Sequence, residues 1–109
     1  MGSEGSVSLF GPTSLPRTLE AALRDVRDAK AAVRRSAVAD LGRHAADPDA
    51  QRAVTALVAA LASDVSAENR GAAAVALADA RVSGVDLALV AAAEDTHLHV
   101  RQMSVLALG

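Results

Sequence analysis

The residues best placed to do chemistry in this chain are three aspartates and three arginines that recur in step: Asp28 with Arg34, Asp64 with Arg70 and Asp95 with Arg101. Each aspartate stands five residues ahead of a ten-residue motif, VRRSAVADLG at 33–42, NRGAAAVALA at 69–78 and VRQMSVLALG at 100–109, and the arginine is the motif's second residue. An aspartate just ahead of a helix-forming run accepts hydrogen bonds from the free amides of the first turn. The expected work of Asp28, Asp64 and Asp95 is therefore capping rather than acid–base catalysis. His97 and His99 stand two apart, which points them to different sides of a helix, and no Cys or HExxH spacing accompanies them. They read as solvated turn residues, not metal ligands. The sequence carries no G-x-S-x-G elbow, no glycine-rich phosphate loop and no paired carboxylates in an apolar setting, so it is expected to bind without catalysing, and without cofactor or metal. A basic cluster, Arg24, Arg27, Lys30, Arg34, Arg35 and Arg43, could follow a phosphate backbone. Asp25, Asp28 and Asp40 interleave with it and no aromatic is at hand to stack a base, so a solvated face is the preferred reading.

Helices must position these groups, and the composition says of what kind. Of 109 residues, 51% are hydrophobic, yet about a quarter of the chain is alanine and the one aromatic is Phe10. Such an interior relies on Leu and Val between closely approaching helices, and an aromatic-lined pocket is not expected. The formal net charge of −2 gives no general pull toward nucleic acid or anionic membrane. The absence of cysteine excludes disulfides and thiolate chemistry and fits a reducing, cytoplasmic setting. Asp64, Glu68, Arg70 and Asp79 interrupt the apolar runs, so no membrane span is expected. Residues 1–14 lack the basic and apolar regions of a secretory signal and read as a flexible arm; Gly2 and Ser6 match the myristoylation pattern, which is too short to carry weight.

The apolar spacing predicts five or six helices. The first, Leu15 to Arg27, lines up Leu15, Leu19, Leu23 and Val26, with Pro16 in its first turn. The second, from about Ala29 to Ala45 behind Asp28, carries Val33, Ala37, Val38 and Leu41. The third opens at Asp47-Pro48 as cap and first residue and carries Val54, Leu57, Val58 and Leu61. Asp64 is the expected cap of the fourth, about Ser66 to Asp79. After the Ser83-Gly84 break a fifth carries Val85, Leu89 and Val90, and a sixth behind Asp95 carries Val100, Val105 and Leu108. Motif positions 1, 5 and 9 fall within about 80° of one another on a helix, so Val33/Ala37/Leu41, Asn69/Ala73/Leu77 and Val100/Ser104/Leu108 should face the core. Asn69, the polar entry in that set, is expected to bond a free backbone N–H in its own first turn.

The aspartates are spaced 36 and 31 residues apart, room for two short helices but not for an independent domain, so each unit must lean on the next. Paired helices of this length, with Asp before the second helix, Val-Arg at its start and Ala…Leu-Gly behind, resemble HEAT repeats, specifically the short bacterial PBS-lyase HEAT-like kind. Asn69 in place of Val, Ala78 in place of Gly and the longer first interval depart from the pattern. The resemblance covers about 15–109 and implies a right-handed α-solenoid of about three helical hairpins, 15–45, 46–79 and 80–109. It also implies a structural ladder between repeats made by Asp28, Arg34, Asp64, Arg70, Asp95 and Arg101. The concave surface of such a fold is formed by motif positions 3 and 7, here Arg35, Ala39, Gly71, Val75, Gln102 and Leu106. The function it implies is a non-catalytic scaffold or adaptor that binds another protein there. A bilin-lyase-like subunit and a nucleic-acid-backbone binder are the alternatives. Met103, Val105, Leu106 and Leu108 lie where a following repeat would cover them, which predicts either a longer array or self-association through the C-terminal helix face.

Overall fold

The computed structural model describes residues 15–48 and 50–109, and these residues form helices and turns with no strand among them. The expected arm, 1–14, lies outside the described residues. The helices are α1 (Leu19–Asp25), α2 (Ala31–Ala45), α3 (Gln51–Ser63), α4 (Ala67–Asp79), α5 (Asp86–Ala92) and α6 (Leu98–Leu108). The described chain is therefore all-α, as expected.

The helix starts are corrected in a consistent way. α1 begins at Thr18, whose Oγ1 accepts from the Ala21 N–H at 3.2 Å, so Pro16 precedes the helix and Leu15 is 82% exposed instead of heading the apolar stripe. α2 begins behind Lys30 and α6 behind His97, neither of which caps with its side chain; α4 is capped by Ser66. Asp28, Asp64 and Asp95 are thus not N-caps. Each carboxylate accepts instead from the backbone N–H two residues on, Lys30 at 2.8 Å, Ser66 at 2.9 Å and His97 at 2.9 Å, closing an Asx turn that sets the entry of the next helix. Nor does Asp47 cap α3. The Ala50 N–H returns to the Asp47 carbonyl at 3.2 Å with Pro48 second in that turn, the position its fixed φ suits, and the helix starts after Ala50. α4 ends with the Arg81 N–H on the Ala78 carbonyl and the Val82 N–H on the Leu77 carbonyl, a Schellman closure that puts Arg81 at φ 56, where glycine is usual.

α1 packs on α2, α3 on α4 and α5 on α6, and the pairs meet mainly through α2 against α4 and α4 against α6, with α3 against α5. Extensive contacts join only pairs adjacent in sequence, and the molecule measures 51 × 30 × 24 Å. The largest fully buried apolar side chains are ones the periodicity selects, Val38, Leu41, Leu57, Leu61, Leu77 and Val100. Departures from the expected core stripes include Val33, which is half-buried, and Val90, Val105 and Leu108, which are exposed. Small residues let α2 and α4 approach: a Cβ on Gly42 would sit 3.1 Å from the Cβ of Ala76.

Asn69 bonds across the interface and not within its own turn. Its Nδ2 donates to the Ala31 carbonyl of α2 at 3.1 Å, because its own first-turn amide is already held by Ser66 Oγ. Ser104 stands at the motif position of Ala37 and Ala73, and its Oγ is fully buried without a hydrogen-bond partner. Removing an unpaired buried hydroxyl relieves its desolvation, so Ser104→Ala is expected to raise stability by about 1 kcal/mol. An unchanged or lower urea midpoint would show that the hydroxyl has a partner in solution.

Candidate functional site

The repeated aspartates and arginines do meet, between one helix pair and the next. Arg34 on α2 reaches the Asp64 carboxylate with two parallel bonds, Nε to Oδ2 at 3.0 Å and Nη2 to Oδ1 at 3.1 Å. Arg70 on α4 repeats this with Asp95, at 2.8 and 3.0 Å. The third guanidinium nitrogen turns back to the chain's own turn: Arg34 Nη1 to the Asp28 carbonyl at 3.0 Å, Arg70 Nη1 to that of Asp64 at 2.8 Å and Arg101 Nη1 to that of Asp95 at 2.9 Å. Each arginine therefore ties the turn before its own helix to the turn before the next second helix. Arg101 has the first of these links only; its Nε and Nη2 have no partner among the described residues. No arginine among the described residues reaches the Asp28 carboxylate, which accepts only from the Lys30 amide.

Burial makes the two complete rungs strong. Asp64 keeps 3% of its side-chain exposure and Arg34 13%. Burial pushes the Asp64 carboxyl up, but the Arg34 bond and the Ser66 amide outweigh it and hold the group below the usual carboxylate range. The Arg70 bond, with the His97 amide, brings Asp95 down to about 2. A carboxylate stabilised in the folded state adds stability that is complete above its unfolded value near pH 4 and is lost as pH falls through the folded value. The chain should accordingly lose stability between about pH 4 and pH 2. In urea titrations across that window Asp95→Asn should flatten the slope, and a slope equal to that of the wild type would exclude the Arg70 rung as its source.

Beside the ladder runs a groove of about 500 Å³ between α2 and α4. Ala39, Gly42, Gly71, Ala72 and Ala76 make its floor, Val75 is 39% exposed in it, and Arg35, Arg43, Asp79 and His99 stand around it. His99 is exposed, as expected, but it stands in α6 and not in a turn, and its imidazole lies over Gly71, where a Cβ would fall 2.5 Å from Nε2. Of the residues expected on a binding face, Arg35, Ala39 and Val75 come together here. Gln102 and Leu106 do not; they line a separate depression with Ala93, Arg101, Met103 and Val105 on the outer side of α6. A third groove, of about 790 Å³ between α1 and α3, has walls that include Leu23, Val26, Ala56, Ala59 and Val65. Sequence reasoning missed it, although the alanines of α3 on the side away from Leu57 and Leu61 were a signal for it.

The basic cluster is largely neutralised. Arg24 pairs with Asp25, Arg34 with Asp64, Arg35 with Glu68 and Arg43 with Asp40. His97 Nδ1 lies 3.2 Å from Arg70 Nη2, and no group of three or more potential metal ligands occurs among the described residues. None of the described helices is long and apolar enough to cross a membrane. Compared with protein-family models, with curated proteins and with solved structures, the chain matches none of them.

Proposed function

We propose that this chain is a non-catalytic protein-interaction module, a right-handed α-solenoid of HEAT-like repeats whose concave face is the α2–α4 groove. The observation that carries the reading is the groove's floor. Ala39 and Gly71, at the motif positions set away from the core, line a trough with Gly42, Ala72 and Ala76 beside an exposed valine. Such a floor offers backbone-close contact to a narrow polypeptide segment and little to a bulky planar ligand. Arg35 and Arg43 stand half-exposed beside it and are already paired with Glu68 and Asp40, so the groove offers a narrow segment an apolar floor with no net charge of one sign around it. The stacking of helix pairs only on sequence neighbours, held by the Asp–Arg rungs, supports the solenoid part of the reading.

A photo-cross-linking residue placed at Ala39 or Val75 should yield a defined adduct in cell lysate, and one placed at Ala59, in the α1–α3 groove, should not. Val75→Asp should abolish the adduct at Ala39 with helical circular dichroism unchanged. Adducts from Ala59 alone would move the binding face to α1 and α3.

A further inference from the structure

The two ends of the stack are not alike. On α2 the face directed away from α4 presents Ser36 and Asp40, at the motif positions of Ala72 and Ala76 on α4, and the chain's own Arg17 covers them. Arg17 Nη1 donates to Ser36 Oγ at 2.7 Å and to Asp40 Oδ2 at 2.9 Å, its Nε donates to Asp25 at 2.8 Å, and its carbonyl meets His44 Nε2 at 2.9 Å. That end is sealed by a polar network. On α6 nothing comparable occurs. Val105 holds the motif position of Val38 and Ala74, which are buried against the next helix, yet it is 56% exposed; Leu108 matches the buried Leu41 and Leu77, yet it is 40% exposed. Arg101, at the position of Arg34 and Arg70, has its bidentate edge unpaired. The arginine fork and the two apolar positions that the earlier helix brings to the α2–α4 and α4–α6 contacts are thus repeated on α6, where no described helix covers them.

We propose that this outer face of α6, centred on Arg101, Val105 and Leu106, is a docking surface for a further helix pair whose second helix is preceded by an aspartate in an Asx turn, the carboxylate accepting from Arg101 Nε and Nη2. The occupant is specified by continuity with the two internal interfaces and by charge: an arginine fork flanked by apolar side chains calls for a carboxylate held at the edge of an apolar helix face. A second copy of this chain is a poor fit. Its Asp28 carboxylate is open, but the adjoining face of α2 is filled by Arg17, and two copies meeting through α6 would oppose Arg101 to Arg101. This surface is separate from the α2–α4 groove and does not depend on it.

The test extends the full chain in register by a second copy of residues 79–109 placed directly after Gly109, which brings a duplicate of Asp95 opposite Arg101. The expected result is one cooperative transition with a thermal midpoint at least about 5 °C higher, together with slower amide exchange in α6. Changing the duplicated aspartate to asparagine should remove most of that gain while leaving the parent chain untouched, and Arg101→Met should shrink the gain relative to its own unextended parent. An appended unit that melts separately, or a gain indifferent to both substitutions, would overturn the proposal. So would light scattering that finds the unextended chain as a dimer broken by Arg101→Glu, because its own kind would then fill the face.

Discussion

Asp64→Ala will cost the chain about 3 kcal/mol, the lower end of the range for breaking a buried ion pair, since Arg34 keeps some contact with water. Three acceptor bonds disappear together, two from Arg34 and one from the Ser66 amide, and the guanidinium is left partly buried without its counter-charge. The same substitution at Asp28 supplies the control. That carboxylate occupies the equivalent turn but accepts only from the Lys30 amide, so its loss should cost about 1 kcal/mol or less. Urea unfolding of the two variants measures the difference directly. Equal costs would mean that the rung contributes nothing beyond the turn, and that the repeated aspartates act locally.

The second large effect is expected at the ninth motif position. Leu77 is 1% exposed between α4 and its neighbours, so Leu77→Ala should cost about 3 kcal/mol in lost transfer free energy and residual cavity. Leu108 occupies the same position on α6 and already shares its surface with solvent, so Leu108→Ala should cost about 1 kcal/mol or less. Because total stabilities of small domains are about 5–15 kcal/mol, the first variant should show a large drop in urea midpoint and the second almost none. A Leu108 variant as damaging as the Leu77 one would show that the outer side of α6 is covered in solution.

The contrast between Leu77 and Leu108 also marks what the amino-acid pattern could and could not convey. The all-helical character and the faces bearing Leu41, Leu57 and Leu77 were legible because each depends on spacing within a few turns, and the recurrence of Asp and Arg because it repeats in the sequence itself. The helix starts were not. An aspartate two residues ahead of the cap and an aspartate at the cap look alike in sequence; a competing hydroxyl, that of Ser66, takes the cap only at α4, while Lys30 and His97 hold the cap positions of α2 and α6 without a side-chain bond. Asn69 was misassigned for a similar reason, its partner being the Ala31 carbonyl on another helix. At the candidate site, the helical period selected Arg35, Ala39 and Val75 correctly as neighbours. It could not show that Gln102 and Leu106, at the same motif positions, belong to a different surface, because a groove needs a helix on both sides and α6 has one on one side only. The α1–α3 groove escaped because it arises from how far two first helices stand apart, a distance no local pattern encodes.

The uneven number of polar links between one helix pair and the next sets the order in which the molecule comes undone. Peeling α1 and α2 away together must sever Arg34 from Asp64, Asn69 from the Ala31 carbonyl, Glu20 from Arg52 and Arg35 from Glu68, while Arg17 leaves with the pair because its partners Asp25, Ser36 and Asp40 lie on the same two helices. Peeling α5 and α6 away breaks the single Arg70–Asp95 rung and one set of contacts. Opening therefore starts at α6 and travels backward, and the chain has a grain, like wood that splits from one end. A ligand on α6 would act by stopping that split at its origin, so its arrival would register as rigidity gained across the whole stack with no change of shape.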